Sequence, residues 1–408
     1  QTYFNLGKKN KQKTTLYSKS KKKITENIKN RSYGFIDDLF NKNFDEIYQA
    51  VKKLNTFNNI LFLGTGGSSL GGKTLVSLVN NFFYNSTKPK IYFIENIDQE
   101  SISGLVNKLD LKVTGVVVTS KSGETIETIS QFFFVENVYR KKKISLKNKV
   151  FVITEDKHST LKKIQESKSY FFLKHPDKVG GRYSVFSIVG LLPSALVNFN
   201  IYAFCKGAKN FLKKIDNDNI FDSLFFPIYS LYNLNKKGIN MSVIMPYVDK
   251  LNNLSFWYRQ LWAESIGKKK RGITPLNALG TVDQHSQLQL YLDGPNDKFF
   301  TIIGKNSLAN SISLDCNFSK KEKYSAMHKK TLDQLLQAEM KATIKTLINR
   351  KLPVRIIDFA SINEETIGSL MMFFFVETIL CCYFFNLNPF DQPAVEEGKK
   401  LAKIYLKK

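Results

Sequence analysis

The chain has 408 residues, of which 61 are Lys or Arg and 35 are Asp or Glu, for a formal charge of +26. That length suggests two or three domains at roughly 150 residues each, and an apolar share of 43% excludes a disordered chain. The basic excess runs along the whole sequence without a zinc-finger or RNA-recognition signature. It therefore reads as solvated faces, with nucleic-acid binding disfavoured; a positive field would also draw in a phosphorylated metabolite.

Cys205, Cys316, Cys381 and Cys382 have no spacing that suggests zinc or a redox pair, which fits a reducing cytoplasm. The longest apolar stretch, residues 371–385, is broken by Glu377 and is shorter than the roughly 20 residues of a membrane span. A buried helix is expected there, and no membrane association. No apolar signal segment opens the chain. The sequence begins at Gln1 without methionine, so some preceding residues are expected. Residues 1–31 are polar and rich in lysine where a transit peptide favours arginine, and the first twenty or so are expected to be loosely held.

The first apolar run, 60–63, ends in Gly64-Thr65-Gly66-Gly67 and reads as a buried strand feeding a tight turn. A helix carrying Leu70, Leu75 and Leu78 starts at Ser68. Strands follow at 91–94 and 116–119, then a helix through Ile126, Ile129, Phe133 and Val135 to about Tyr139, then a strand at 150–154. Strands alternating with helices imply a doubly wound parallel sheet. The pattern restarts after Phe225. Strands are expected at 241–245, 299–303 and 354–359, and helices at 254–266, 322–347 and 366–385. The expected organisation is a basic segment at 1–40, α/β domains at 41–210 and 211–385, and a C-terminal segment at 386–408. Ligands in such sheets bind beyond the carboxyl ends of the strands.

Ser120-Lys121-Ser122-Gly123-Glu124-Thr125 lies between a strand and a helix. A helix N-cap needs one hydroxyl, and this run offers three beside a glycine. Together with the helix dipole they suit a phosphate. Residues 67–74 (GSSLGGKT) fit the nucleotide-binding P-loop pattern to the letter, directly after a strand. Against that reading, the only partner for a magnesium-binding strand end is the weak Ile356-Ile357-Asp358. Gly180-Gly181-Arg182-Tyr183-Ser184 sets one arginine on a flexible turn, suited to a surface salt bridge or to steadying an oxyanion. Gln260 and Glu264 are four apart on one helix face, and Trp262 and Ile266 would partly desolvate the carboxylate. His285 lies in Asp283-Gln284-His285-Ser286, and histidine is a residue type suited to acid–base work. Lys399 ends Asp391-Gln392-Pro393-Ala394-Val395-Glu396-Glu397-Gly398-Lys399.

In this order, over about residues 45–405, the motifs resemble the phosphoglucose isomerase family in its shorter bacterial form. The resemblance implies two sugar isomerase (SIS) domains, each a parallel sheet flanked by helices, and a C-terminal helical segment. It implies interconversion of glucose 6-phosphate and fructose 6-phosphate, in glycolysis and gluconeogenesis, without metal or cofactor, by a cytoplasmic homodimer. It also implies roles for single residues. Ser120, Lys121, Ser122 and Thr125 would hold the phosphate, and Gly67, Ser68, Gln260 and Gln392 would approach the sugar. His285, supplied by the neighbouring subunit, and Lys399 would open the ring. Glu264 would move the proton and Arg182 would steady the enediolate. The sequence departs from the family at Ala394, where glycine is usual, and at Gly71-Gly72, where Gly-Pro is more usual. Neither change removes a chemical group.

Overall fold

The computed structural model describes residues 1–6, 14–305, 312–315 and 325–406. Ten strands run through the described residues in chain order: β1 (Thr2–Phe4), β2 (Asn59–Leu63), β3 (Lys90–Ile94), β4 (Thr114–Thr119), β5 (Val150–Thr154), β6 (Phe171–Lys174), β7 (Met241–Pro246), β8 (Thr274–Asn277), β9 (Lys298–Lys305) and β10 (Val354–Phe359). They fall into two compact units. One is Thr25–Leu212; the other joins Gln1–Ile24 to Lys213–Lys408.

In the Thr25–Leu212 unit the strand order is β3-β2-β4-β5-β6, parallel throughout. The central strand β4 (TGVVVT) is buried at every position, as expected of a parallel strand covered on both faces. Leu61, Leu63, Val116, Val118, Val150 and Val152 form its core with Phe132, Val135 and Tyr139 of the Ile126–Lys141 helix. β6, a four-residue edge strand, was not legible in the sequence.

The second unit has the order β1-β10-β9-β7-β8. β7 to β10 are parallel; β1 pairs antiparallel with β10, Thr2 opposite Ile356 and Phe4 opposite Val354. The N-terminal strand is thus held in a sheet, contrary to expectation. Beyond the strand, the Thr15–Lys29 helix buries Tyr17, Ser20 and Ile24. Tyr17 donates to Asp222 at 2.8 Å, and Lys21 pairs with both Asp218 and Asp222. The helix expected at 322–347 spans Leu332–Asn349, and residues 322–324 lie outside the described ones, as does Cys316. Glu364–Phe384 is long and apolar enough to cross a membrane, but 89% of its most apolar window is buried in protein, so it is a core helix. Its Glu377 is fully buried and meets the equally buried Arg355 of β10 at 2.7 Å.

Candidate active site

In the first unit, the chain leaves β4 into the 120–125 loop. The Ser120 backbone N–H donates to the Ile153 carbonyl, which ties the loop to β5. Ser120 is almost wholly buried; its hydroxyl lies 2.9 Å from that of Thr125 and accepts the Gly123 N–H at 3.2 Å. Ser122 is exposed and accepts the Glu124 N–H. Gly123 has φ +68°, and a Cβ there would lie 2.1 Å from the Ser159 hydroxyl, so only glycine fits. Thr125 occupies the N-cap of the Ile126–Lys141 helix yet makes no side-chain cap bond. The capping reading of this loop therefore fails: hydroxyls gather beside a helix start they do not close, and such a start attracts anions. Thr128, in the first turn of the same helix, is a buried hydroxyl without a partner. The motif did not single it out.

Charge at the loop is balanced locally. Lys121 lies 3.5 Å from the buried Glu155, which Lys157 also contacts. His175 is buried alongside, its Nδ1 3.0 Å from the Pro176 carbonyl. Burial, aided by the charge of Lys121, pulls its imidazole down to about 4, although the backbone bond opposes this.

The glycine loop after β2 forms a helical turn, Gly66–Ser68, followed by the Leu70–Val79 helix. This helix begins too early for a P-loop. Thr74 is fully buried and donates to the Leu70 carbonyl at 2.8 Å, while Lys73 is paired with Glu95. Neither group is presented to a nucleotide. Gly67 instead abuts the second glycine motif: a Cβ on it would lie 2.3 Å from the Gly181 carbonyl carbon. The Ser184 hydroxyl donates to the Gly67 carbonyl at 2.9 Å. Arg182 is not on a flexible turn at the surface; it is buried within the Gly181–Phe186 helical turn, whose Tyr183 stacks on Phe35 at 5.3 Å.

In the second unit, Leu254, Trp257, Tyr258, Leu261, Trp262 and Ser265 make the buried face of the Asn252–Ile266 helix. Gln260 and Glu264 lie off that face, half-buried, with the Gln260 amide donating to Glu264 Oε1 at 2.9 Å. Trp262 is fully buried and turns its indole N–H to the Ile273 carbonyl. His285 is exposed at the end of the Val282–Gln284 turn. The neighbouring Asp283 accepts from Ser286, Gln287 and the Leu279 N–H. Burial works to raise its carboxyl, but those bonds prevail and hold it below the ordinary range. Lys399 is exposed on the Glu396–Tyr405 helix, 2.7 Å from Glu396, and Gln392 is exposed ahead of it.

The two units repeat one strand order, since β8-β7-β9-β10 matches β3-β2-β4-β5. Their helices after the third strand differ. Leu332–Asn349 is closed by its own capping box, Thr331 and Gln334 each accepting from the other's N–H. A cavity of about 490 Å³ opens at the ends of β7 and β9, lined by Tyr247, Lys250, Lys305 and Met340 among others, and it contains none of the residues singled out above. The helix start that its N-cap side chain leaves unclosed belongs to the first unit.

Parallel sheets of this order make the fold one of the phosphosugar isomerases. Tagatose-6-phosphate ketose/aldose isomerase from Escherichia coli aligns with a TM-score of 0.53 at 12% identity, covering 90% of this chain and 94% of that one. A hypothetical protein from Thermus thermophilus aligns with a TM-score of 0.86 at 27% identity over 95% and 94% of the two chains. The family model of phosphoglucose isomerase matches residues 5–408. The probable glucose-6-phosphate isomerase of Methanococcus maripaludis is 36% identical over 392 residues, 95% of this chain and 88% of its own. The glucose-6-phosphate isomerase of Campylobacter jejuni is 32% identical over 395 residues, 94% of each chain. This chain belongs to the phosphoglucose isomerase family.

Proposed function

We propose a division of labour for the reaction of this chain, the aldose–ketose isomerisation of glucose 6-phosphate and fructose 6-phosphate. The 120–125 loop takes the phosphate through Ser120, Lys121, Ser122 and Thr125. The observation that carries this reading is the cluster of hydroxyls at a helix start that no side chain closes. Gly67, Ser68, Gln260 and Gln392 line the sugar. His285 and Lys399 open the ring by moving a proton between the ring oxygen and the C1 or C2 hydroxyl.

Glu264 then takes the proton from C2 and returns it to C1, with Arg182 stabilising the charge on the cis-enediolate oxygen. The hydrogen bond from Gln260 supports this role, because it orients the carboxylate. Arg182's burial supports its own, since a guanidinium held in a closed turn is a fixed counter-charge. The working form is a homodimer in which His285 serves the neighbouring subunit's site. Its exposure fits that role, as do Leu401, Ile404 and Tyr405 exposed on the C-terminal helix. The proposed setting is the cytoplasm; burial pushes the Cys205 thiol up to about 12, which keeps it inert.

Turnover of fructose 6-phosphate, read by a coupled dehydrogenase after chelation, tests the reading. The wild type should turn over unimpaired, and Glu264→Gln should lose about 10²–10⁴-fold. Equal turnover in both proteins would reject Glu264 as the base.

A further inference from the structure

The helix that carries Glu264 ends at Ile266, and the chain then makes a two-residue turn. Lys268 and Arg271 bridge each other, with N–H to carbonyl distances of 3.2 and 2.9 Å. The central residues, Lys269 and Lys270, have φ of +52° and +57°, where glycine or asparagine is usual. The turn presents two cations to the start of the C-terminal segment. The Lys268 side chain is only 8% exposed; its Nζ lies 2.6 Å from Asp391 Oδ1 and contacts the Asn388 carbonyl. Arg271 Nη1 donates to the Phe385 carbonyl at 2.8 Å. One step earlier, the Cys382 thiol donates to the carbonyl of Ser265, the residue after Glu264. Gln392 directly follows Asp391, and Lys399 lies seven residues on.

We infer that Lys268, with Arg271 beside it, is a positioning residue that clasps the 385–391 segment to the end of the Glu264 helix. It thereby holds Gln392 and Lys399 in register with the carboxylate. A buried cation needs its partner, so the pair with Asp391 fixes where the exposed tail begins. The inference rests on the roles proposed above for Glu264 and Lys399. It assigns Lys268 to the ring-opening half of the reaction, because the segment it anchors carries the ring-opening lysine.

The test compares two substrates in Lys268→Met, Lys268→Arg and Asp391→Asn. Hexose 6-phosphates need ring opening. A four-carbon aldose 4-phosphate has no hydroxyl placed to close a ring, so it skips ring opening and needs only the proton transfer by Glu264 with its supporting groups. Lys268→Met should lower kcat on fructose 6-phosphate at least about tenfold and leave four-carbon turnover within about threefold. Asp391→Asn, at a half-exposed partner, should show the same split, and Lys268→Arg should restore much of the loss. A parallel fall on both substrates with a lowered Tm, or no fall on either, would overturn the inference. Lys399→Met separates the two claims. Full hexose turnover in that variant would remove Lys399 from the site and the inference with it. Loss in Lys399→Met but not in Lys268→Met would remove the inference alone.

Discussion

Gly67→Ala tests the contact between the two glycine loops of the first unit. The added Cβ would lie 2.3 Å from the Gly181 carbonyl carbon, 2.5 Å from its oxygen and 2.7 Å from its Cα. All three atoms are backbone, so no side chain can swing aside. Reaching an ordinary contact of about 3.5 Å moves the two loops about 1 Å apart. It also strains the 2.9 Å bond from Ser184 to the Gly67 carbonyl. Overpacking of this kind costs about 1–3 kcal/mol, or about 2–4 °C in Tm per kcal/mol for a unit of this size. A displacement of about 1 Å at a reacting centre costs about 100-fold in rate, equivalent to about 2.7 kcal/mol of barrier. Gly104→Ala is the control: nothing lies within 4 Å of its added Cβ, and it sits in the Gln99–Lys108 helix. It should gain about 0.5–1 kcal/mol and keep full activity. Paired kcat/KM and thermal unfolding measurements decide. A Gly67→Ala protein with activity within threefold of wild type, or with the stability of Gly104→Ala, would refute the close approach.

Acid should weaken the first unit through His175. Its folded pKa of about 4 lies below the unfolded 6.5, so the unfolded chain takes the proton first. The contribution is complete above about 6.5 and is lost as the pH falls toward 4, at most about 3 kcal/mol. Urea midpoints at pH 7.5 and 4.5 should therefore differ less in His175→Gln than in wild type; an unchanged difference would refute this. In the second unit, Glu377→Leu strands Arg355 in the core and should cost about 3–5 kcal/mol, while Arg355→Met with Glu377→Leu should return to near wild-type stability. A double-mutant cycle by thermal unfolding checks it, and a double variant no better than the single would count against the pair. Lys73→Ala should leave isomerase activity within about threefold, because its partly exposed pair with Glu95 is worth about 1 kcal/mol or less. ATP turnover that disappears in that variant would revive the nucleotide reading.

Most of the parallel strands were legible because each is a short apolar run bounded by glycine or polar residues, and that signal is local. The 120–125 loop was legible for the same reason: its hydroxyls, glycine and lysine lie within six residues. So was the Gln260–Glu264 pair, since a four-residue spacing fixes a shared helix face. Features that depend on distant parts of the chain were not. β1 reads as polar tail until β10, some 350 residues on, supplies its hydrogen-bonding edge. Arg182 reads as an arginine on a flexible turn, open to either a surface salt bridge or an oxyanion, until the packing of Gly181 against Gly67 and the burial of its own turn are seen. The P-loop pattern at 67–74 is complete as a string; only the early helix start, the bond from Thr74 to Leu70 and the pairing of Lys73 with Glu95 show that its groups are already engaged. Lys268 is one lysine among 61 basic residues, distinguished only by being buried against Asp391. Periodicity and motif spacing determined which segments are strands, helices and loops, because those preferences act over a few residues. Which charges are buried, and on what they are spent, was decided by packing, because desolvation depends on neighbours the linear chain places far away.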